Sequence, residues 1–391
     1  MPPDSSLYLS EFRLPDLDGT AHEHQAAGFH WIDFVFPISC TLAFLRYEYG
    51  LILPLSVKLF ALVGSFFLAI LSWLLIEQPF RHRRLLQKPR QLMVATVLAP
   101  VLLMCVSFLI EENNGFPKRL PQEARNYLKP IYQNAARKYT TRVDPDDIRE
   151  DKVPFHGDPS GSHEILVWGD SHAMAMMPGI DAVCQNLRIK CYQITCPGNT
   201  PLLGYCPPSD THGHNRVVER NQAAYEFILR KKISLVIMIG YWGKTSQKHP
   251  SVFQKSVRAT IGKFDEKGVQ AVIIEDNASF NYHVPTHLAT RVLRRKDVSK
   301  IGISLEDHYE FNRVPRESFR SLTNKNVRVY DPTPYFTEES NLWLAQINGD
   351  SMVRDRHHLS VAGSLRLKPL IKRGLLESIP RIASGTEQKR H

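Results

Sequence analysis

The sequence predicts an α/β domain with a five-stranded, mostly parallel sheet between two helix layers, preceded by two or three membrane-crossing helices. Three observations predict it. From residue 163 onward, short apolar runs rich in β-branched residues alternate with helical stretches, the pattern of a parallel sheet covered on both faces. Before residue 111, two long uncharged stretches approach the ~20 apolar residues that cross a bilayer. The first apolar run of the domain leads straight into Gly169-Asp170-Ser171-His172, a serine at a strand-to-helix turn.

Residues 1–30 are polar and proline-interrupted, and lack the basic start and short apolar stretch of a secretory signal. Residues 31–110 form the apolar part, with spans expected at about 34–55, 57–76 and 92–110. The first is interrupted by Arg46 and Glu48 and reads as a tilted or paired helix. The second holds 18 consecutive uncharged residues (59–76) and the third 19 (92–110). A buried core helix competes as the explanation of any one run; three close together favour insertion. Between the last two lie Arg81, Arg83, Arg84, Lys88 and Arg90, with no acid, which places that loop in the cytoplasm. Everything after about Glu111 is then expected outside the cytoplasm.

Residues 111–162, with Pro117, Pro121, Pro130, Pro145, Pro154 and Pro159, read as a linker with one helical piece near 122–139. The domain is expected over 163–378, followed by a tail, 379–391. Its strands are expected at 164–168, 189–194, 233–239, 269–274 and 326–330. Its helices are expected at 171–185, 215–231, 251–268, 305–323 and 361–376. Catalytic groups in such a sheet gather at the carboxyl ends of the strands.

Two motifs carry chemistry. A serine at a strand-to-helix turn is exposed at the sheet edge, with backbone N–H groups pointing at whatever it attacks. Far along the chain, Asp355-Arg356-His357-His358-Leu359-Ser360 sets a carboxylate three residues before an imidazole. Nucleophile, base and orienter are the parts of a serine acyl-transfer site. Either motif alone is weak, since a serine also caps helices and histidines sit on surfaces. Their joint presence at element ends is stronger. His357 competes with His358 as base. His172 has poor geometry for deprotonating its neighbour and reads as a packing or hydrogen-bonding residue. The backbone N–H of Ser171 is one donor for a developing oxyanion.

Cys40 and Cys105 fall in apolar segments as packing residues. Cys184, Cys191, Cys196 and Cys206 crowd into the part expected outside the cytoplasm, which points to disulfides, with Cys184–Cys191 and Cys196–Cys206 favoured among three pairings. A zinc site is the rival, with His212 and His214 the nearby candidates, but no C-x-x-C pair is present. No bound metal or cofactor is expected. The net charge of +10 gathers at the membrane edge, in 118–142 and in the tail. No zinc finger, helix-turn-helix or RNP-like pattern accompanies it, so anionic headgroups of the bilayer, not nucleic acid, are the expected partner.

Gly-Asp-Ser-His followed by a C-terminal Asp-x-x-His-Leu-Ser resembles the SGNH hydrolases, in the branch fused to membrane acyltransferases of the acyltransferase 3 type. Ser72-Trp73-Leu74-Leu75-Ile76-Glu77-Gln78-Pro79-Phe80-Arg81 is similar to the sequence closing that family's membrane domain. The resemblance implies an SGNH-like α/β/α fold, with Ser171, His358 and Asp355 catalytic. His358 is favoured over His357 because the spacing and the following Leu-Ser match there, which leaves His357 facing solvent. Gly240-Tyr241-Trp242-Gly243 stands where many members have Gly-x-Asn-Asp, so Trp242 replaces the asparagine donor. Its indole N–H could donate, its ring could stack on a sugar, or it could be core packing. Gly198 and Gly240 are further candidates for the oxyanion and substrate region. The implied activity is O-acyl transfer, O-acetyl first, to a cell-surface polysaccharide or its lipid-linked precursor outside a bacterial inner membrane. Acyl-CoA is the implied ultimate donor. The short membrane part implies either a separate membrane acyltransferase subunit or a shortened, inactive product. A membrane-tethered carbohydrate esterase and a non-catalytic sugar-binding domain are the alternatives.

Overall fold

A computed structural model describes residues 41, 45, 53–81, 88–113, 115–132, 134–205 and 214–379. The chain divides into two compact units, one of Met1–Phe44 with Pro54–Met93, the other of Leu45–Leu53 with Val94–His391. In the first, α1 (Leu55–Ser72) runs on through a π-helical turn, Trp73–Glu77, to Arg81. Leu59, Phe60, Val63 and Phe67 on it are exposed. Helix α2 (Pro89–Glu112) carries Val97, Leu102, Leu103 and Phe108 equally bare. Leu55–Leu75 and Pro89–Glu112 are long and apolar enough to cross a membrane. Most of the expected span 34–55, and residues 82–87 of the basic loop, lie outside the described residues.

The second unit is built on a six-stranded sheet. Its strands are β1 (Phe155–Gly157), β2 (His163–Gly169), β3 (Ile189–Thr195), β4 (Leu235–Ile239), β5 (Gln270–Ile274) and β7 (Val327–Tyr330), in the order β1-β3-β2-β4-β5-β7. Five strands are parallel; β1 alone pairs antiparallel, with β3. Side chains alternate between two cores, as the two-residue pleat requires. Ile165, Val167, Ile237 and Val272 face one, with α5 (Ser171–Leu187), α9 (Val284–Leu293) and α13 (Lys368–Ser378) over it. Leu166, Trp168, Met238 and Ile273 face the other, under α6 (His214–Arg230) and α8 (Pro250–Glu266). Both faces are dry, which is why these strands read as continuous apolar runs. Two further two-stranded ribbons pair β6 (Gly302–Ser304) with β8 (Leu342–Leu344), and β9 (Gln346–Ile347) with β10 (Asp350–Ser351).

Several expectations are corrected. The sheet has six strands rather than five, because β1 comes from the stretch read as a linker. That stretch also forms α3 (Gln122–Tyr132) and α4 (Pro145–Arg149). Buried Asp181 fastens it to α5, accepting from Lys138 Nζ (2.8 Å), Tyr139 OH (2.6 Å) and Gly157 N–H (2.8 Å). Buried Arg220 fastens it to α6, donating to Val143 O (2.8 Å), Asp144 Oδ1 (2.7 Å) and Asn199 Oδ1 (3.1 Å). The prolines belong to the fold, not to a free tether: Pro117 and Pro145 open helical turns and Pro130 lies inside α3. Helix α7 (Trp242–Lys248) and α9 lie where no helix was expected. The helix expected over 305–323 is two, α10 (Leu305–Phe311) and α11 (Arg313–Arg320), and that over 361–376 is also two, α12 (Val361–Arg366) and α13.

The cysteine expectation is also corrected. Cys184, Cys191 and Cys196 are free thiols, and Cys206 lies outside the described residues, as does His212. Cys184 and Cys191 are fully buried in the same apolar core and behave as small hydrophobes. Hydrogen bonding to Cys184, then burial, holds the Cys191 thiol well above the ordinary thiol range.

Candidate active site

The site forms where loops leave the carboxyl ends of β2, β4 and β5. Strand β2 passes β4 so closely that a Cβ on Gly169 would stand 2.0 Å from Ile239 O; only glycine fits. Asp170 then caps α5. One of its oxygens accepts from His172 N–H (2.7 Å), the other from Tyr241 N–H (2.7 Å), so one carboxylate fixes both the nucleophile turn and the loop after β4. Burial pushes the Asp170 carboxyl up. Ser171 is the first residue of α5, at the positive end of the helix.

The opposing loop is pinched at its base by a bridge between Val353 and Leu359. Asp355 organises it. Its Oδ1 accepts from the N–H of His357 (3.0 Å) and His358 (2.9 Å), and its Oδ2 lies 2.6 Å from His358 Nδ1. Burial works against this carboxylate, yet its bonds to His358 and to the two N–H groups hold it far below the usual range. His358 Nε2 lies 2.8 Å from Ser171 Oγ. With Nδ1–H donated to Asp355, Nε2 of His358 turns its lone pair toward the Ser171 hydroxyl, an arrangement that can take up a serine proton. The three residues singled out from sequence meet in one hydrogen-bonded chain.

Beside it stands a second carboxylate–imidazole pair that sequence reasoning missed. His172 Nδ1 lies 2.9 Å from Asp276 Oδ1, each side chain 1% exposed. His172 Nε2 lies 3.0 Å from His357 Nδ1. Burial opposes the charged form of His172, but Asp276, then Asp170 and Asp355, outweigh it and hold its pKa above the usual imidazole value. His357 is not the solvent-facing residue expected. It stacks on Tyr241 at 4.5 Å, its backbone oxygen accepts from Asn277 Nδ2, and burial, then His358 and His172, lower its pKa to about 3. Tyr241 also stacks on His172 at 4.3 Å and its hydroxyl bonds Ser279 Oγ at 2.5 Å. His172 is the hydrogen-bonding neighbour expected. The missed signal was Glu275-Asp276-Asn277, a polar run at the carboxyl end of a buried strand.

The expected oxyanion residues are placed unequally. Trp242 is 1% exposed, and its indole N–H donates to Ile274 O (2.9 Å). It belongs to the core, and its donor is spent there. Gly240 sits against Pro201 and the Trp242 ring. Gly198 occupies an open turn in the left-handed region (φ +72°), beside the nucleophile turn because Cys196 N–H donates to Gly169 O (3.2 Å).

The family model for the SGNH domain (fused to AT3 domains) matches residues 137–373, more than half of the chain. No curated protein matches it in sequence. Among solved structures it is similar to the periplasmic domain of the lipopolysaccharide acetyltransferase of Salmonella ser. Paratyphi A, at 17% identity and a TM-score of 0.50, covering 65% of this chain and 97% of that one. It also matches the acetyl xylan esterase AlAXEase (13% identity, TM-score 0.34, covering 55% and 99%). An acetylxylan esterase from Geobacillus stearothermophilus matches too (14%, TM-score 0.34, covering 56% and 95%).

Proposed function

Because this chain belongs to the family of SGNH domains fused to AT3 domains, we propose that it is a membrane-anchored O-acyltransferase that moves an acetyl group onto a cell-surface polysaccharide. The observation that supports this most is the chain of bonds from Ser171 through His358 to Asp355. His358 takes the serine proton as Oγ attacks an acyl carbonyl, and Asp355 holds the tautomer and stabilises the imidazolium. The imidazolium returns its proton to the leaving group, which leaves an acyl–Ser171 ester. His358 then deprotonates the acceptor hydroxyl, which attacks that ester. The Ser171 backbone N–H, at a helix start where it has no ladder partner, is one donor to the oxyanion. Gly198 is the second candidate.

The periplasmic placement of the similar Salmonella domain and the two apolar helices support a domain tethered outside the inner membrane. The acyl group originates from acyl-CoA and is handed across the bilayer by a membrane acyltransferase component, on the same polypeptide or a separate one. Water in place of sugar would make the same relay a carbohydrate esterase. Incubating the detergent-solubilised chain with an activated acetyl ester, with and without an acceptor oligosaccharide, separates the two. Acetylated sugar supports transfer; acetate release indifferent to acceptor would replace it with hydrolysis.

A further inference from the structure

We propose that His172, His357 and His358 together form a binding site for a zinc-class divalent cation, and that this ion and the Ser171–His358 hydrogen bond exclude one another. One nitrogen from each ring lies within 4.8 Å of the others. The rings are also held as ligands are held. Nδ1 of His358 is hydrogen-bonded to Asp355 at 2.6 Å, and Nδ1 of His172 lies 2.9 Å from Asp276 Oδ1, close enough for ionic contact but off the line of a hydrogen bond. A carboxylate on the far nitrogen is the arrangement that orients a metal-bound histidine and raises its basicity. The Nε2 of each ring points inward, that of His172 to His357 and that of His358 to Ser171.

The third ring completes the set. His357 Nδ1 lies 3.0 Å from His172 Nε2, close to the spacing of two ligands on one tetrahedral ion. Coordination replaces that hydrogen bond. The proton held between His172 Nε2 and His357 Nδ1 leaves for solvent or for His357 Nε2, which frees both nitrogens for the ion. His358 releases Ser171, whose hydroxyl or a water fills the fourth position. Three nitrogen ligands with an open position suit zinc or copper better than calcium or magnesium, which want oxygen. The buried His172 forms the floor, and the part-exposed His357 and His358 admit the ion from solvent. An occupied site has no free general base.

Ion binding does not depend on acyl chemistry, so it is read directly. Isothermal titration of the full chain in detergent with zinc chloride should show one tight equivalent, and cobalt(II) should give the intense visible bands of a tetrahedral ion. His357→Ala, at a part-exposed position, should abolish that equivalent. Asp276→Asn should weaken it by about 10- to 100-fold. Ser171→Ala, which frees His358 Nε2, should tighten it by about 2- to 10-fold, the worth of one hydrogen bond. Circular dichroism identifies any variant lost to misfolding; His357→Gln is the substitute. An octahedral cobalt spectrum overturns the site. So does tight binding undiminished in His357→Ala, which would place the ion elsewhere among the 16 histidines.

Discussion

His172 pairs with His357 across 3.0 Å, as its neighbour Ser171 pairs with His358 across 2.8 Å. Consecutive residues on the nucleophile helix thus meet consecutive residues on the base loop in opposite order. A shift of one residue in either element would break both contacts at once, so the register of Ser171 against His358 is fixed by the neighbouring pair.

Ser171→Ala should lower acyl turnover by about 10⁴-fold or more, and His358→Ala should do the same. Because the two act as one unit, the double variant should be no slower than either single one. Steady-state kinetics on an activated acetyl ester would show this. Turnover near the native rate in Ser171→Ala would remove the nucleophile assignment.

Asp355→Asn should cost about 10⁴-fold in kcat by presenting the wrong histidine tautomer. The same carboxylate is linked to stability. Its folded pKa lies far below the unfolded value near 3.9, so its contribution is full above that value and is lost progressively as pH falls below it toward the folded pKa. Denaturant melts at pH 5 and pH 3 should show a smaller acid loss in Asp355→Asn than in the native chain.

Trp242→Phe removes the N–H that satisfies Ile274 O in the core. It should cost about 1–3 kcal/mol of stability while leaving turnover per folded molecule unchanged. A large fall in kcat at constant Tm would return the indole to the oxyanion site.

His308 is buried with its pKa lowered to about 4, by burial first. Its Nε2–H faces Thr333 Oγ1 at 3.1 Å, and Asn312 Nδ2 lies 3.4 Å from Nδ1, partners that suit the neutral ring. The unfolded chain takes up this proton near 6.5 and the folded chain near 4, so stability is full above that range and falls with pH inside it, by about 3 kcal/mol. His308→Gln should flatten the stability profile between pH 6.5 and 4, measured by urea melts.

Arg220→Met should destabilise the domain by about 2–4 kcal/mol, since Val143 O and Asn199 Oδ1 lose their donors in the interior. Limited proteolysis should then open the chain within 134–157 first. Cutting unchanged from the native pattern would contradict Arg220 as the fastener of that segment.

The parallel sheet was legible because burial on both faces writes itself as unbroken apolar runs; Leu235–Ile239 has no polar residue to confuse it. The relay was legible for a different reason, since a carboxylate and an imidazole three residues apart can meet on a single turn, as Asp355 and His358 do. Strand β1 was hidden by its length: Phe155-His156-Gly157 is too short for a period of two. Asp276 was hidden because its partner, His172, lies far away in sequence. Trp242 was ambiguous because one indole serves equally as core, donor or platform. Only the position of Ile274 O decides among them.

Helix α12 sits flush on the nucleophile's own helix: Ser364 Oγ accepts from Gly179 N–H (2.8 Å) and donates to Met176 O (2.8 Å). That latch comes from the last stretch of the domain to be synthesised. A nascent chain that has delivered everything through β7 already carries the serine and the cap beneath it, yet has no proton acceptor to arm them. On the proposed mechanism, reactivity therefore waits for the final elements to close.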